Sequence, residues 1–284
     1  MRYVISAALC CLLLFLGTPT ARAQADLIDI TKVKVRGDKS TEYEDAVKKL
    51  VEINRKNKGD HWIAMEEEYG DLGTLYFISW RDSMAGVEKA SGAFEAAGVK
   101  ALGQAGFGKL MQELMSTSVS AQNQIRRRRP ELSSNPPADM AAQMKMIAQS
   151  RWLRIATVDL KPGRASDFAA AWLPYRDELA KAVGATPILV SSAVTGTPAI
   201  YVATYFKSMA DMDPMDVATR GLIQSDAYKS FTKTLGDVAT NTTWEILRIR
   251  PELSCVPDEL MNLDPGFWKP RPAAAATKPK PKAE

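Results

Sequence analysis

Arg126 and Arg128 alternate within QIRRRRPELS (124–133), and a second copy of that stretch reads EILRIRPELS (245–254). On a strand, alternation sends Arg126 and Arg128 to the face that carries Leu247 and Ile249 in the other copy. A guanidinium buried alone costs too much, so each needs a carboxylate, a ligand anion or water. Two outcomes are open: pairing with Glu66, Glu67 or Glu68 or snorkelling from an edge, and an anion-binding site. A second set is aromatic. Tyr76, Trp80, Tyr201 and Tyr205 recur at matched places in the two copies, with Trp62 and Trp244 as candidate neighbours. Facing one interior, they would line an apolar pocket with phenol handles for a small hydrophobic or aromatic ligand; facing a core, they are packing. Ser79 and Thr204 point the opposite way.

Other chemistry is thin. His61 is the only histidine, so the chain offers no histidine pair for a metal and no second imidazole base. Cys255 has no histidine near it in sequence and reads as a small buried residue. Asp211, Asp213 and Asp216 lack the glycine and terminal glutamate of a calcium loop and fit the first turn of a helix. GQAGFGK (103–109) matches the start of a phosphate-binding loop, but Leu110 stands where a Ser or Thr should meet magnesium, and no strand precedes it. Close helix packing or a kink accounts for its glycines. No cofactor or metal is expected, and catalytic residues are unassigned.

The elements that position these residues come in two copies. TLYFISWRDSMA (74–85) aligns with AIYVATYFKSMA (199–210) at an offset of 125, whereas Arg129-Pro130 aligns with Arg250-Pro251 at 121. The difference is absorbed in the glycine-bearing stretch 91–108. Each copy reads strand, helix, strand, strand, helix, strand. In the first, Ile28–Val35 is a strand, and Ser40 or Thr41 caps a helix in which Tyr43, Ala46, Val47, Leu50 and Ile53 recur at helical spacing. Gly70–Gly73 turns a hairpin, an Ala-rich helix runs to about Met115, and a last strand ends at Pro130. The divisions expected are a leader over 1–23, repeats over 24–133 and 151–268, a linker over 134–150 and a tail over 269–284.

This order is the split βαβ arrangement, an antiparallel four-stranded sheet with its helices on one face. The strands are apolar on both sides, as with Leu75 and Phe77 against Tyr76, Ile78 and Trp80, so the second face also needs cover. The tandem copying and the aromatic-ended third strand running through Ser-Met-Ala into a helix resemble the dimeric α/β-barrel superfamily, with its antibiotic-biosynthesis-monooxygenase-like members. The resemblance spans about 28–131 and 152–254. It implies an α+β fold in which two ferredoxin-like βαββαβ repeats form an intramolecular pseudo-dimeric α/β barrel, sheet against sheet. Some members of that group carry histidine-ligated haem, for which only His61 is available.

Arg2, the apolar run Val4–Leu16 and Ala21-Arg22-Ala23 have the layout of a secretory signal peptide, so a periplasmic or secreted protein with no membrane anchor after processing is expected. Cys10 and Cys11 leave with it, and one remaining thiol makes no internal disulfide. Without Arg2 and Arg22 the chain holds 35 basic and 33 acidic residues, and the Pro/Ala/Lys tail, expected to be disordered, carries more than the whole excess, which leaves the part between them slightly acidic. No basic field argues for nucleic acid. The candidate partners are a small hydrophobic or anionic ligand and, in a homo-oligomer, further copies of the chain. A binding protein without catalysis leads; a cofactor-independent monooxygenase or isomerase is the alternative.

Overall fold

The computed structural model describes residues 26–269; the expected leader and all but the first residue of the expected tail lie outside them. The first copy comprises β1 (Leu27–Val35), α1 (Ser40–Asn57), β2 (Ile63–Tyr69), β3 (Thr74–Arg81), α2 (Met84–Ser116) and β4 (Ser118–Arg128). α3 (Met140–Ala148) lies in the link. The second copy comprises β5 (Trp152–Leu160), α4 (Ala165–Val183), β6 (Leu189–Ala193), β7 (Ala199–Phe206), α5 (Asp213–Gly221), α6 (Asp226–Val238) and β8 (Ala239–Ile249), followed by α7 (Asp258–Leu263) and α8 (Pro265–Trp268). Asp213 and Asp216 lie in the first turn of α5, where Asp216 pairs with Arg154.

The eight strands form one closed antiparallel barrel in the order β1-β3-β2-β8-β5-β7-β6-β4. The two sheets are therefore not independent stacked layers. They fuse edge to edge, β2 on β8 and β4 on β6, which gives hydrogen-bond partners to edges that would otherwise be open. Each inner face is covered by the opposite wall of the same barrel. Ile30, Ile63, Met65, Ile78, Leu153, Leu247 and Ile249 meet there in a single buried core drawn from both copies.

The repeated PELS is the clasp of this closure. After β4, Leu132 O accepts from the Trp172 indole and Ser133 Oγ accepts from Val190 N, both in the second copy. After β8, Leu253 O accepts from the Trp62 indole and Ser254 Oγ accepts from Ala64 N, both in the first. Each copy's exit thus binds the other's helix or second strand. The proline that ends each strand starts a short 3-10 turn, which aims leucine and serine across the seam.

Outside the barrel, α1 buries Tyr43, Val47, Leu50 and Val51 against the first sheet, and α4 buries Phe168, Trp172, Tyr175 and Leu179 against the second. α2 is two arms meeting at Gly103, whose φ of 69° and ψ of 166° interrupt the helix. The bend closes Phe107 onto Gly98, where a Cβ would lie 2.2 Å from the ring. Of the glycines of GQAGFGK, Gly103 therefore serves the kink, while the close approach falls at Gly98, just before that stretch.

Candidate functional site

Alternation along each strand fills the barrel interior. β3 sends in Tyr76, Ile78 and Trp80, β4 sends in Arg126 and Arg128, and β7 sends in Ala203 and Tyr205. With Ile28, Ile30, Leu153, Ile155 and Leu247 these enclose a chamber of about 70 Å³. Pro136 and Gln143, from the link and α3, close one end. At the other end, Lys32, Gln124, Thr157, Asp159, Tyr201 and Glu245 surround an open polar mouth. Tyr76 and Arg126 border both spaces, so they form the partition between chamber and mouth.

Arg126 is the buried cation of the site, at 8 % exposure. Its guanidinium lies 3.4 Å from the centroid of the Tyr201 ring, and its Nε donates to Gln124 Oε1 at 2.7 Å. Gln124 Nε2 in turn donates to the Tyr201 hydroxyl. Among the described residues no carboxylate lies within 4.0 Å of Arg126, and burial lowers its pKa, with Tyr201, Tyr76 and Glu245 opposing that shift. The expected pairing with Glu66, Glu67 or Glu68 is corrected for this arginine. Glu66 is taken by Arg248 and Arg250, Glu68 by Arg248, and Glu67 stands beside Lys32 at 4.0 Å. Parity explains the first two: Arg248, Glu66 and Glu68 lie on the outer face, where β2 pairs with β8.

On the partition, the Tyr76 hydroxyl donates to Glu245 Oε2 at 3.0 Å and lies 3.4 Å from Glu67 Oε2. Lys32 approaches Glu245 at 3.5 Å and the Tyr76 ring at 4.9 Å. Burial is the main force holding the Tyr76 phenol well above the ordinary tyrosine range, reinforced by the charges of Glu245 and Glu67. Burial likewise raises Tyr205, against the pull of Arg128 and Arg126. Glu67, 2 % exposed, has its pKa raised first by burial, although it accepts the Asp71 N–H.

All six candidates, Tyr76, Trp80, Tyr201, Tyr205, Arg126 and Arg128, face the barrel interior. Tyr201 stands at the mouth and the other five line the chamber. Ser79 turns outward as expected, donating to His61 O. The two further tryptophans are corrected. Trp62 packs outside the barrel against Phe94, ring centroids 6.1 Å apart, and Trp244 is 61 % exposed beneath the Arg154 guanidinium. Gln124, Lys32, Glu245 and Gln143 join the site from outside the expected set. The first three follow from extending the alternation one step along β4, β1 and β8; only the tertiary fold brings Gln143 in.

No protein-family model matches the chain, and no curated protein matches its sequence. Among solved structures, an anthrone oxidase-like protein superposes with a TM-score of 0.53 at 13 % identity, over 82 % of this chain and 95 % of its own. The fold is the dimeric α/β barrel. In this dimeric α/β-barrel chain both halves belong to one polypeptide. A mutant chlorite dismutase from Candidatus Nitrospira defluvii gives 0.44 at 8 % identity, covering 84 % of this chain and 96 % of its own. A heme-binding protein from Thermus thermophilus gives 0.43 at 9 %, covering 80 % and 92 %. The residues here do not fit a histidine-ligated haem: His61 is exposed, just before β2, and lines neither the chamber nor its mouth.

Proposed function

We propose that this barrel binds a small organic anion, oxyanion toward Arg126 and apolar part against Ile28, Ile30, Trp80 and Leu153. One observation carries this. Arg126 is buried, stacked on Tyr201, and without a carboxylate at ion-pairing distance among the described residues, at the wall of an otherwise largely apolar chamber. Burying an unpaired cation is costly, and a ligand anion removes that cost. Gln143, 4 % exposed, has an Oε1 with no hydrogen-bond partner, so the cover of the chamber holds a spare acceptor for an O–H or N–H.

Size narrows the ligand class. Cavities of about 150 Å³ accept benzene, and the chamber has about 70 Å³. An aromatic ring enters only if Trp80 or Tyr205 turns; a short hydroxy acid or similar carboxylate enters as the walls stand. The expected small hydrophobic ligand is thus reduced to one of a few non-hydrogen atoms with an anionic end. A catalytic alternative, proton transfer of the kind an isomerase or cofactor-independent monooxygenase needs, uses the Glu245 carboxylate at the mouth, hydrogen-bonded by Tyr76, as the acceptor of a proton from a substrate held by Arg126. We further propose that the protein is exported, cleaved before Gln24, as the first 23 residues suggest.

Calorimetric titration with acetate, glycolate and lactate tests the binding function, alongside mass spectrometry of small molecules retained by the protein from its own host. Arg126→Leu with Arg128→Ile, the residues of the second copy, should abolish anion binding and leave the fold as stable or more so. Unfolding of that variant, or unchanged affinity, would discard the anion site. N-terminal sequencing beginning elsewhere than Gln24 would discard the cleavage.

A further inference from the structure

The barrel is closed along only part of its longest strands. β8 pairs with β5 over 239–248 but with β2 only over 246–249. Ile249 N donates to Arg151 O on the β5 side and Arg250 N to Ala64 O on the β2 side, so even-numbered residues of β8 turn their backbone groups toward β2. β2 ends at Tyr69, opposite Ile246. Among the described residues no strand pairs with that side of β8 before Ile246, so the N–H and C=O groups of Thr242 and Trp244 form an open sheet edge.

Open edges in soluble proteins are blunted by charge, by proline or by a covering loop. This one reads Thr240-Asn241-Thr242-Thr243-Trp244, with neither charge nor proline and with threonine and tryptophan that favour strands. All five residues are exposed. Thr243 and Glu245 look into the mouth, so Trp244 stands on the outer face, where 61 % of it meets solvent. Tyr69, opposite Ile246 at the end of β2, adds a second exposed ring at 59 %. β4 has an edge of the same kind in the other copy, but there Asn123 stands in place of Trp244, its Oδ1 already accepting from the Thr31 hydroxyl at 2.8 Å. β8 is therefore the edge with an aromatic surface left to cover.

We propose that the open edge of β8 pairs with the same edge of a second copy of this chain, antiparallel about a two-fold axis at Thr242. Charge selects the occupant: an uncharged edge meets itself without repulsion, whereas it offers an acidic or basic segment no counter-ion. Thr242 then faces the partner's Thr242, a favourable cross-strand pair, and Trp244 packs beside the partner's Thr240. The backbone bonds are made by groups that β5 does not use, and β7-β5-β8 continues into its copy as one sheet. Pairing over 240–244 on each side is at the small end of protein interfaces, so the dimer dissociates at concentrations on the order of micromolar. The surface lies outside the chamber and does not rest on anion binding.

Sedimentation equilibrium of the full chain from about 1 to 100 µM should show monomer and dimer in exchange. Thr242→Lys and Thr242→Asp each set like charges opposite one another and should each weaken dimerisation at least about ten-fold, while an equimolar mixture of the two should restore it. Trp244→Thr should weaken it by a similar factor, and Ala121→Lys, on the edge of β4, should leave it unchanged. Thr242→Pro, which removes only an outward N–H, replaces the charged variants should they not fold. A monomer throughout that range, a dimer indifferent to charge at 242, a mixture no more associated than its parts, or a dimer lost with Ala121→Lys would overturn the proposal.

Discussion

Arg126 stands where the second copy has Leu247, and Gln124 where it has Glu245. The first exchange puts a charge where the other copy is apolar, and the second replaces a carboxylate by the amide that accepts from Arg126 Nε. Glu67 shows the cost of charge in such a place. Burial is the largest influence on its pKa and raises it, so the folded state favours the neutral acid. The stability this contributes is present below the ordinary carboxylate range and is lost as pH rises through the raised value. Glu67→Gln should therefore flatten the decline in stability as pH rises above the ordinary carboxylate range, and equal or exceed the parent once Glu67 is ionised, by denaturant titration across pH. Cys255 is 1 % exposed and burial pushes its thiol up to about 11. Native protein at about pH 8 should leave Cys255 unalkylated by iodoacetamide, and denatured protein should label fully, by peptide mapping.

At the scale of elements, three glycines of α2 should respond differently. Gly98→Ala drives a methyl into the Phe107 ring and should cost about 1–3 kcal/mol. Gly103→Ala forces a side chain onto a φ of 69° and should cost a similar ~1–3 kcal/mol. Gly108→Ala meets nothing within 4 Å and should stabilise the helix by about 0.5–1 kcal/mol. Chemical denaturation separates the three. The elements themselves are readable from the chain, because period-two and helical spacing are local properties: β1 runs Leu27–Val35 and α2 ends at Ser116, within a residue of the Ile28 start and the Met115 end that the spacing predicts. The break at Gly103 is not. A glycine in a helical pattern signals permission to bend, whereas the bend is decided by Phe107 meeting Gly98.

At the scale of the molecule, closure depends on two serines reaching across the seams. Ser254→Ala leaves the Ala64 N–H without its acceptor in a fully buried setting and should cost about 1–3 kcal/mol. Ser133→Ala, at a half-buried position, should cost less. Thermal melts of the two variants test this order, and equal losses would argue against a buried clasp. The sequence by itself determined the duplication, the order of strands and helices, and which side chains share a face, Tyr76 with Trp80, Tyr201 with Tyr205 and Arg126 with Arg128, since each is fixed by local spacing or by copy-to-copy alignment. Only the tertiary structure decided that the sheets join at their edges, that those shared faces look into the barrel, and that Arg126 stacks on Tyr201 while Glu66 goes to Arg250. Those outcomes depend on which residues meet across long stretches of chain, and that is not written in any local pattern.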